Sequence, residues 1–215
     1  MSKATIFVAL ALALALLVYR CTTPAATLRC RIVIEVDTPG GLKIGSSVME
    51  LVLKRPFIVP MPGGNGSESG GGFQLFGEAP FVNLGNQVLF MKYSSKDSRP
   101  EAEYVITDGL KMFARRRATA EDSNEAVFRE LNRTKPLGEV APTDFPVFAT
   151  FADVTNPHSD TEFQAKSFQE HLGKGYAIKR ITVQVVGKDV PLTSALTARF
   201  PALANKETRL SLSRK

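Results

Sequence analysis

The densest grouping of chemically useful side chains is Phe151 to Asp160, "FADVTNPHSD". Asp153, Asn156, His158 and Asp160 bring two carboxylates, an amide oxygen and an imidazole into one short stretch, just after an apolar segment that reads as a strand. Connections at strand ends are where sites are often built, because a rigid scaffold aims side chains carried on a variable loop. Oxygens of this kind suit Ca²⁺, and with His171 added they would suit a transition metal. The same residues also have a plainer use. Asp and Asn side chains close turns on their own backbone, Asn156-Pro157 favours a turn, and Ser159 suits the start of a helix.

Other candidates are thinner. The two histidines, His158 and His171, leave little room for a Ser-His-Asp arrangement, and no serine sits in a Gly-x-Ser-x-Gly elbow. Glu78, between Gly77 and Ala79, reads as an exposed strand residue with no second carboxylate placed beside it. The glycine-dense run Pro60 to Gly72 lacks the Gly-Lys-Ser/Thr that a phosphate loop needs, so it reads as a flexible loop. Arg115, Arg116 and Arg117 could dock phosphates but read first as a solvated charge run. Cys21 and Cys30 form no C-x-x-C pair, and with Cys21 at the expected membrane edge they are expected to stay unpaired. No cofactor is expected.

The elements that would carry these residues follow from hydrophobic periodicity. Leu28 to Asp37 alternates with period two, as a half-buried strand does; Thr38 to Gly41 is a turn; Leu42 to Lys54 is a second strand with a bulge near Gly45-Ser46-Ser47. Phe73 to Leu84 and Gln87 to Tyr93 read as strands joined at Gly85-Asn86, and Tyr104 to Thr107 and Leu110 to Ala114 as a further pair around Asp108-Gly109. Asp122 and Glu125 have capping-box spacing ahead of Val127, Phe128 and Leu131, so a helix follows, ended by Pro136 and Gly138. Phe145 to Ala152 is strand; Ser159 and Glu162 repeat the cap pattern before Ala165, Phe168 and Leu172; Tyr176 to Val186 is strand; and Ser194 to Phe200 is a last short helix. The expected fold class is α+β, mostly antiparallel β-sheet with a few short helices in the C-terminal half, preceded by one N-terminal hydrophobic helix.

That first helix is the run from Ala4 to Tyr19, rich in Ala and Leu (Leu10, Leu12, Leu14 and Leu17 among them) and free of charge. About 16 residues span roughly 24 Å as a helix, short of a hydrocarbon core about 30 Å thick. Three fates are open: a retained anchor, a cleaved signal, or lipidation at Cys21. Tyr19 and Arg20 suit a membrane interface and do not suit a lipidation site, so a retained anchor is the reading taken. Lys3 precedes the run and Arg20, Arg29 and Arg31 follow it, which by the positive-inside rule would leave the domain in the cytoplasm. The layout of a short basic start followed at once by an apolar run argues instead for an exported signal-anchor, with the N-terminus inside and the domain in the periplasm.

The division expected is 1–20 anchor or signal, 21–27 linker, 28–204 a single globular domain containing the loop at 60–72, and 205–215 a basic tail, frayed. The chain of 215 residues is 44% hydrophobic and 22% charged, ordinary for a folded protein. Its net charge of +6 favours anionic surfaces without naming one.

The order of the N-terminal apolar run, "GSSV" at Gly45 to Val48, "GEAPFVNLG" at Gly77 to Gly85, "FATFADVTNPHS" at Phe148 to Ser159 and "KRITVQVV" at Lys179 to Val186 resembles small uncharacterised membrane-anchored proteins of proteobacteria. The resemblance covers most of the chain and implies a bacterial envelope setting and one domain, with no catalytic role to carry over. The function expected is a non-enzymatic single-pass protein whose domain binds a protein or ligand partner beside the membrane, held to lipid through residues 4–19, with no nucleic acid expected. Two alternatives stand beside it: a metal-dependent hydrolase using Asp153, His158 and Asp160 with His171 as acid or base, and anionic lipid or nucleic-acid binding through Arg115 to Arg117 and the tail.

Overall fold

The computed structural model describes residues 24–54, 72–92, 101–118, 123–156 and 158–204, with shorter pieces at 5–8, 12, 57–59, 67–69 and 213–214. The framework is a long hairpin: β1 (Ala26–Thr38) pairs with β2 (Gly41–Lys54) along its whole length, from Ala26 opposite Leu53 to Thr38 opposite Gly41. Leu28, Cys30, Ile32, Ile34 and Val36 are fully buried on one face of β1, as period-two patterning requires. The turn works because Gly41 adopts φ +99° and the Thr38 hydroxyl donates to the Gly41 carbonyl at 2.6 Å.

The bulge expected at Gly45-Ser46-Ser47 is absent, because pairing with β1 runs through it without a shift; the irregularity lies between Glu35 and Val36, where β1 meets β11 (Ala177–Val185). The small residues of β2 have another purpose. A Cβ on Gly45 would stand 2.0 Å from the carbonyl oxygen of Phe81, so glycine lets a second layer cross close over the hairpin.

That layer arises because the segment read as one strand from Phe73 to Leu84 is two. β3 (Phe57–Val59) and β4 (Ser67–Ser69) pair as a small hairpin, so part of the loop expected at 60–72 is strand, and β5 (Gly72–Glu78) then adds to β2. At Gly77, with φ +110° and the Cα of Met49 only 3.2 Å from a hypothetical Cβ, the chain turns off the large sheet. β6 (Phe81–Asn83) and β7 (Val88–Met91) follow, joined through the expected turn at Gly85-Asn86.

Residues 101–118 correct the sequence reading. The strands expected at Tyr104–Thr107 and Leu110–Ala114 are helices, α1 (Glu101–Gly109) and α2 (Met112–Ala118). Ala102, Val105, Ile106 and Gly109 are buried at i, i+3, i+4 and i+7, a helical stripe, and packing of that stripe overrides the strand preference of Val-Ile-Thr. Gly109 is the contact point, since a Cβ there would stand 2.9 Å from Val183. α3 (Asn124–Thr134) buries Val127, Phe128 and Leu131 as expected, but the cap is the hydroxyl of Ser123, accepting from the Ala126 N–H at 3.2 Å.

β8 (Leu137–Glu139) then edges the large sheet, in the order β12-β5-β2-β1-β11-β8 with β12 at Ser213–Arg214, and β9 (Phe148–Phe151) enters the smaller one, β10-β9-β7-β6 with β10 at Asp160–Phe163. The helix expected to open at Ser159 and Glu162 is β10 (Asp160–Phe163), paired with β9; the helix waits until α4 (Phe168–Leu172). Strand wins here because pairing brings Phe163 and Phe148 opposite one another, with Phe168 edge-on to both rings at 5.4 and 5.2 Å. α5 (Ala195–Arg199) is followed by a short 3-10 turn at Pro201–Ala204, and β12 (Ser213–Arg214), within the tail expected to fray, pairs with β5 at Glu78 and Gly77. All the sheet pairings are antiparallel, and with these short helices the class is α+β.

Of the residues expected to form an anchor, Ala4, Leu10, Leu14, Leu17, Tyr19 and Arg20 lie outside the described residues, as does Cys21; residues 5–8 and Leu12 are helical and exposed. Among the described residues no helix is long and apolar enough to cross a membrane.

Candidate functional site

The smaller sheet and α5 enclose an aromatic cluster in which Phe90 meets Phe81, Phe151 and Phe200 with centroids 5.1–5.9 Å apart, over Leu196 and Leu203. Above it opens a cleft of about 420 Å³, lined by Asn83 and Gly85 to Val88 on one side, by Phe151 to Val154 on the other, and by Arg199 and Phe200.

Both walls are locked from within. In the β6–β7 turn, Leu84 N–H donates to the Gln87 carbonyl and Gly85 N–H to Asn83 Oδ1, each at 2.9 Å. In the opposite loop, Asp153 Oδ1 accepts from the Thr155 hydroxyl at 2.7 Å and the Thr155 N–H at 2.8 Å. Those two bonds, the hydroxyl's first, hold the Asp153 carboxyl below the ordinary aspartate value. Asn156 Oδ1 accepts from the His158 N–H at 3.0 Å, and the Ser159 hydroxyl donates to the carbonyls of Asp153 and Asn156 at 2.8 Å. The Ser159 hydroxyl thus stabilises a loop and caps no helix.

The four residues singled out in this loop are therefore dispersed. Asp153 borders the cleft, Asn156 closes a turn, and His158 is exposed. Asp160 faces the buried ammonium of Lys92 at 3.3 Å, which Glu162 also meets at 3.0 Å. His171 lies flat on the ring of Phe163, centroids 4.6 Å apart. Among the described residues no group of three or more His, Cys, Asp and Glu is placed to hold a metal ion. Cys30 is free and buried, and burial pushes its thiol up to about 12, so it is no nucleophile at neutral pH.

Three features escaped the sequence reading. Glu78, read as exposed, is 7% exposed; its carboxylate accepts from the Leu196 N–H at 2.7 Å, the Thr197 N–H at 3.1 Å and the Thr197 hydroxyl, while the Ser47 hydroxyl donates to its carbonyl. This carboxylate pins α5 to the corner between β5 and β6. Arg199, one turn further along α5, rests its guanidinium over Phe81 at 5.9 Å and Phe200 at 5.7 Å, and has no salt-bridge partner among the described residues. Lys92 ties β7 to β10 and so sets the floor beneath the loop. Spacing in the chain signals none of these, since the partners of Glu78 and Lys92, and Phe81 beneath Arg199, are distant in sequence.

The arginine triplet sits on α2, not at a strand end. A helix turns about 100° per residue, so the three side chains diverge: Arg115 turns inward to Glu130 at 2.8 Å and the Leu110 carbonyl at 2.9 Å, and Arg116 and Arg117 are exposed. Comparison with protein-family models, with characterised proteins and with solved structures finds no match to this chain.

Proposed function

We propose that this chain is a non-enzymatic, single-pass membrane protein of the bacterial envelope whose domain binds a small polar ligand through the cleft beside Arg199. One observation carries the reading: a guanidinium seated on two phenyl rings, without a carboxylate partner among the described residues, at the rim of a cleft whose walls are locked by their own hydrogen bonds. A guanidinium held in this way is prepared for a carboxylate or phosphate group at little ordering cost. Asp153, ionised at neutral pH, supplies an acceptor for a donor on the same ligand. The cleft volume lies at the small end of the range for ligand sites, which suits a ligand of few atoms. The membrane half of the proposal is supported by the apolar run Ala4 to Tyr19 and by Tyr19 and Arg20 at its end.

The cleft is tested by titrating isotope-labelled full-length protein with acetate, glutamate and inorganic phosphate. Shifts confined to the amides of Asn86, Gln87 and Asp153, and abolished in Arg199→Gln, support it. A robust hydrolytic activity lost on Asp153→Ala or His158→Ala would overturn the non-enzymatic reading. The setting is tested by blotting C-terminally tagged protein from spheroplasts with and without external protease. A full-length band degraded by protease supports an anchored periplasmic domain; a protected one places the domain in the cytoplasm.

A further inference from the structure

One edge of the molecule is basic and apolar at once. At the α1–α2 junction Lys111 and Arg115 line, with Leu137 of β8, a shallow cleft of about 300 Å³. Leu137 is 67% exposed and Phe113 47% exposed, so both apolar side chains are available at the surface. Between positions 111 and 139 the chain carries Lys111, Arg115, Arg116, Arg117, Arg129, Arg133 and Lys135 against Glu121, Asp122, Glu125, Glu130 and Glu139, seven cations to five anions, with Glu139 lining the same cleft as Leu137. Lys111, Arg116, Arg117, Arg133 and Lys135 are all exposed. The left-handed conformation of Lys135, φ +46°, ends α3 and turns the chain directly into Leu137.

This edge adjoins the point where the apolar run would deliver the chain. The Asn132 side-chain amide donates to the Thr27 carbonyl at 2.9 Å, which ties the end of α3 to the beginning of β1. Thr27 lies eight positions after Tyr19, so a bilayer holding the run can lie at most about 29 Å from that bond. So short a tether maintains a high local concentration of lipid headgroups at this edge.

We propose that the edge formed by α2, the end of α3 and β8 docks on an anionic bilayer surface, with Leu137 and Phe113 entering the headgroup layer and the exposed lysines and arginines facing lipid phosphates. The inference rests on residues 4–19 being a membrane anchor. It also leaves the Arg199 cleft open, because β6 crosses the hairpin at Gly45 of β2, three strands away from β8 in the sheet order.

The chain has no tryptophan, which supplies the test. Full-length Leu137→Trp and Phe113→Trp variants are placed in nanodiscs containing brominated phosphatidylglycerol, with Ile44→Trp, exposed at the far end of the hairpin, as the control. Docking predicts a blue-shifted emission quenched by bromine at positions 137 and 113 and not at 44. The quenching should disappear in discs of neutral lipid and in high salt, and docking should weaken about fivefold for each cation removed in Arg117→Gln and Lys135→Gln variants that keep their circular dichroism. A chain that travels with the discs while its tryptophan stays unquenched overturns the docking alone. A chain that does not travel with the discs overturns the anchor reading and the docking with it. A tryptophan that ignores lipid but responds to a single-stranded oligonucleotide overturns the bilayer as the occupant.

Discussion

Replacing Glu78 should loosen α5 while leaving the large sheet intact. Its carboxylate takes three hydrogen bonds from Leu196 and Thr197, and the Leu196 bond is buried. In Glu78→Ala the Leu196 N–H loses its acceptor away from water, a loss of about 1–3 kcal/mol, and the Thr197 donors, being only partly buried, recover some of theirs from solvent. Removal of the side chain's packing brings the expected fall in local opening free energy to about 2–3 kcal/mol, or roughly 30- to 150-fold faster amide exchange at Leu196 and Thr197. Glu78→Gln keeps one acceptor oxygen but points an NH₂ at a donor, so an intermediate acceleration of about tenfold is expected. Native-state hydrogen exchange is the right assay because it separates opening of one segment from global unfolding. Exchange in β1 should be unchanged. The double variant Glu78→Ala with Thr197→Val should show less than the sum of the two effects, since the hydroxyl and the carboxylate serve one another. An acceleration below about threefold at Leu196 in Glu78→Ala would refute the idea that this carboxylate holds the helix.

The remaining expectations are briefer. Lys92→Ala leaves Asp160 and Glu162 facing each other without their cation and should destabilise the fold by about 3–5 kcal/mol in denaturant titration, with much of the loss recovered in Lys92→Met combined with Asp160→Asn and Glu162→Gln. Gly45→Ala forces a methyl group into the Phe81 carbonyl, backbone against side chain, and should destabilise by more than about 3 kcal/mol; an unchanged midpoint would mean the two layers can part freely. Cys30 should resist alkylation at pH 8 in the folded protein and react at once on unfolding. Because its thiol is pushed up to about 12 from 9.0, the unfolded chain loses its proton first, so this group's contribution is complete below pH 9 and declines as pH rises from there through about 12. Comparing denaturation of the parent and Cys30→Ala across that window isolates it.

The site was legible in the sequence only in outline. The loop Phe151 to Asp160 does border the cleft, and the Gly85-Asn86 turn does form its other wall, because turn chemistry is written in neighbouring residues. Which of the loop's polar atoms would remain for a ligand was not legible. Asn156 and Ser159 are committed to the loop itself, and Asp160 to a lysine sixty-eight positions earlier. Glu78 looked like any strand carboxylate; its partners lie 118 and 119 residues away.

By itself the sequence determined the elements whose pattern is local. The alternation of β1 and β11, the stripe of Val127, Phe128 and Leu131 and the Gly85-Asn86 turn all record which side of a segment faces the core. Tertiary structure decided the cases where two local patterns compete or where chains cross. Val105-Ile106-Thr107 reads as strand until Gly109 is set against Val183; Asp160 to Phe163 reads as the start of a helix until β9 offers its hydrogen bonds; and Gly45 reads as a bulge until Phe81 crosses above it. The physical reason is common to all three. Periodicity reports burial along one segment, whereas the choice between conformations of similar local energy is made by the segment that packs against it.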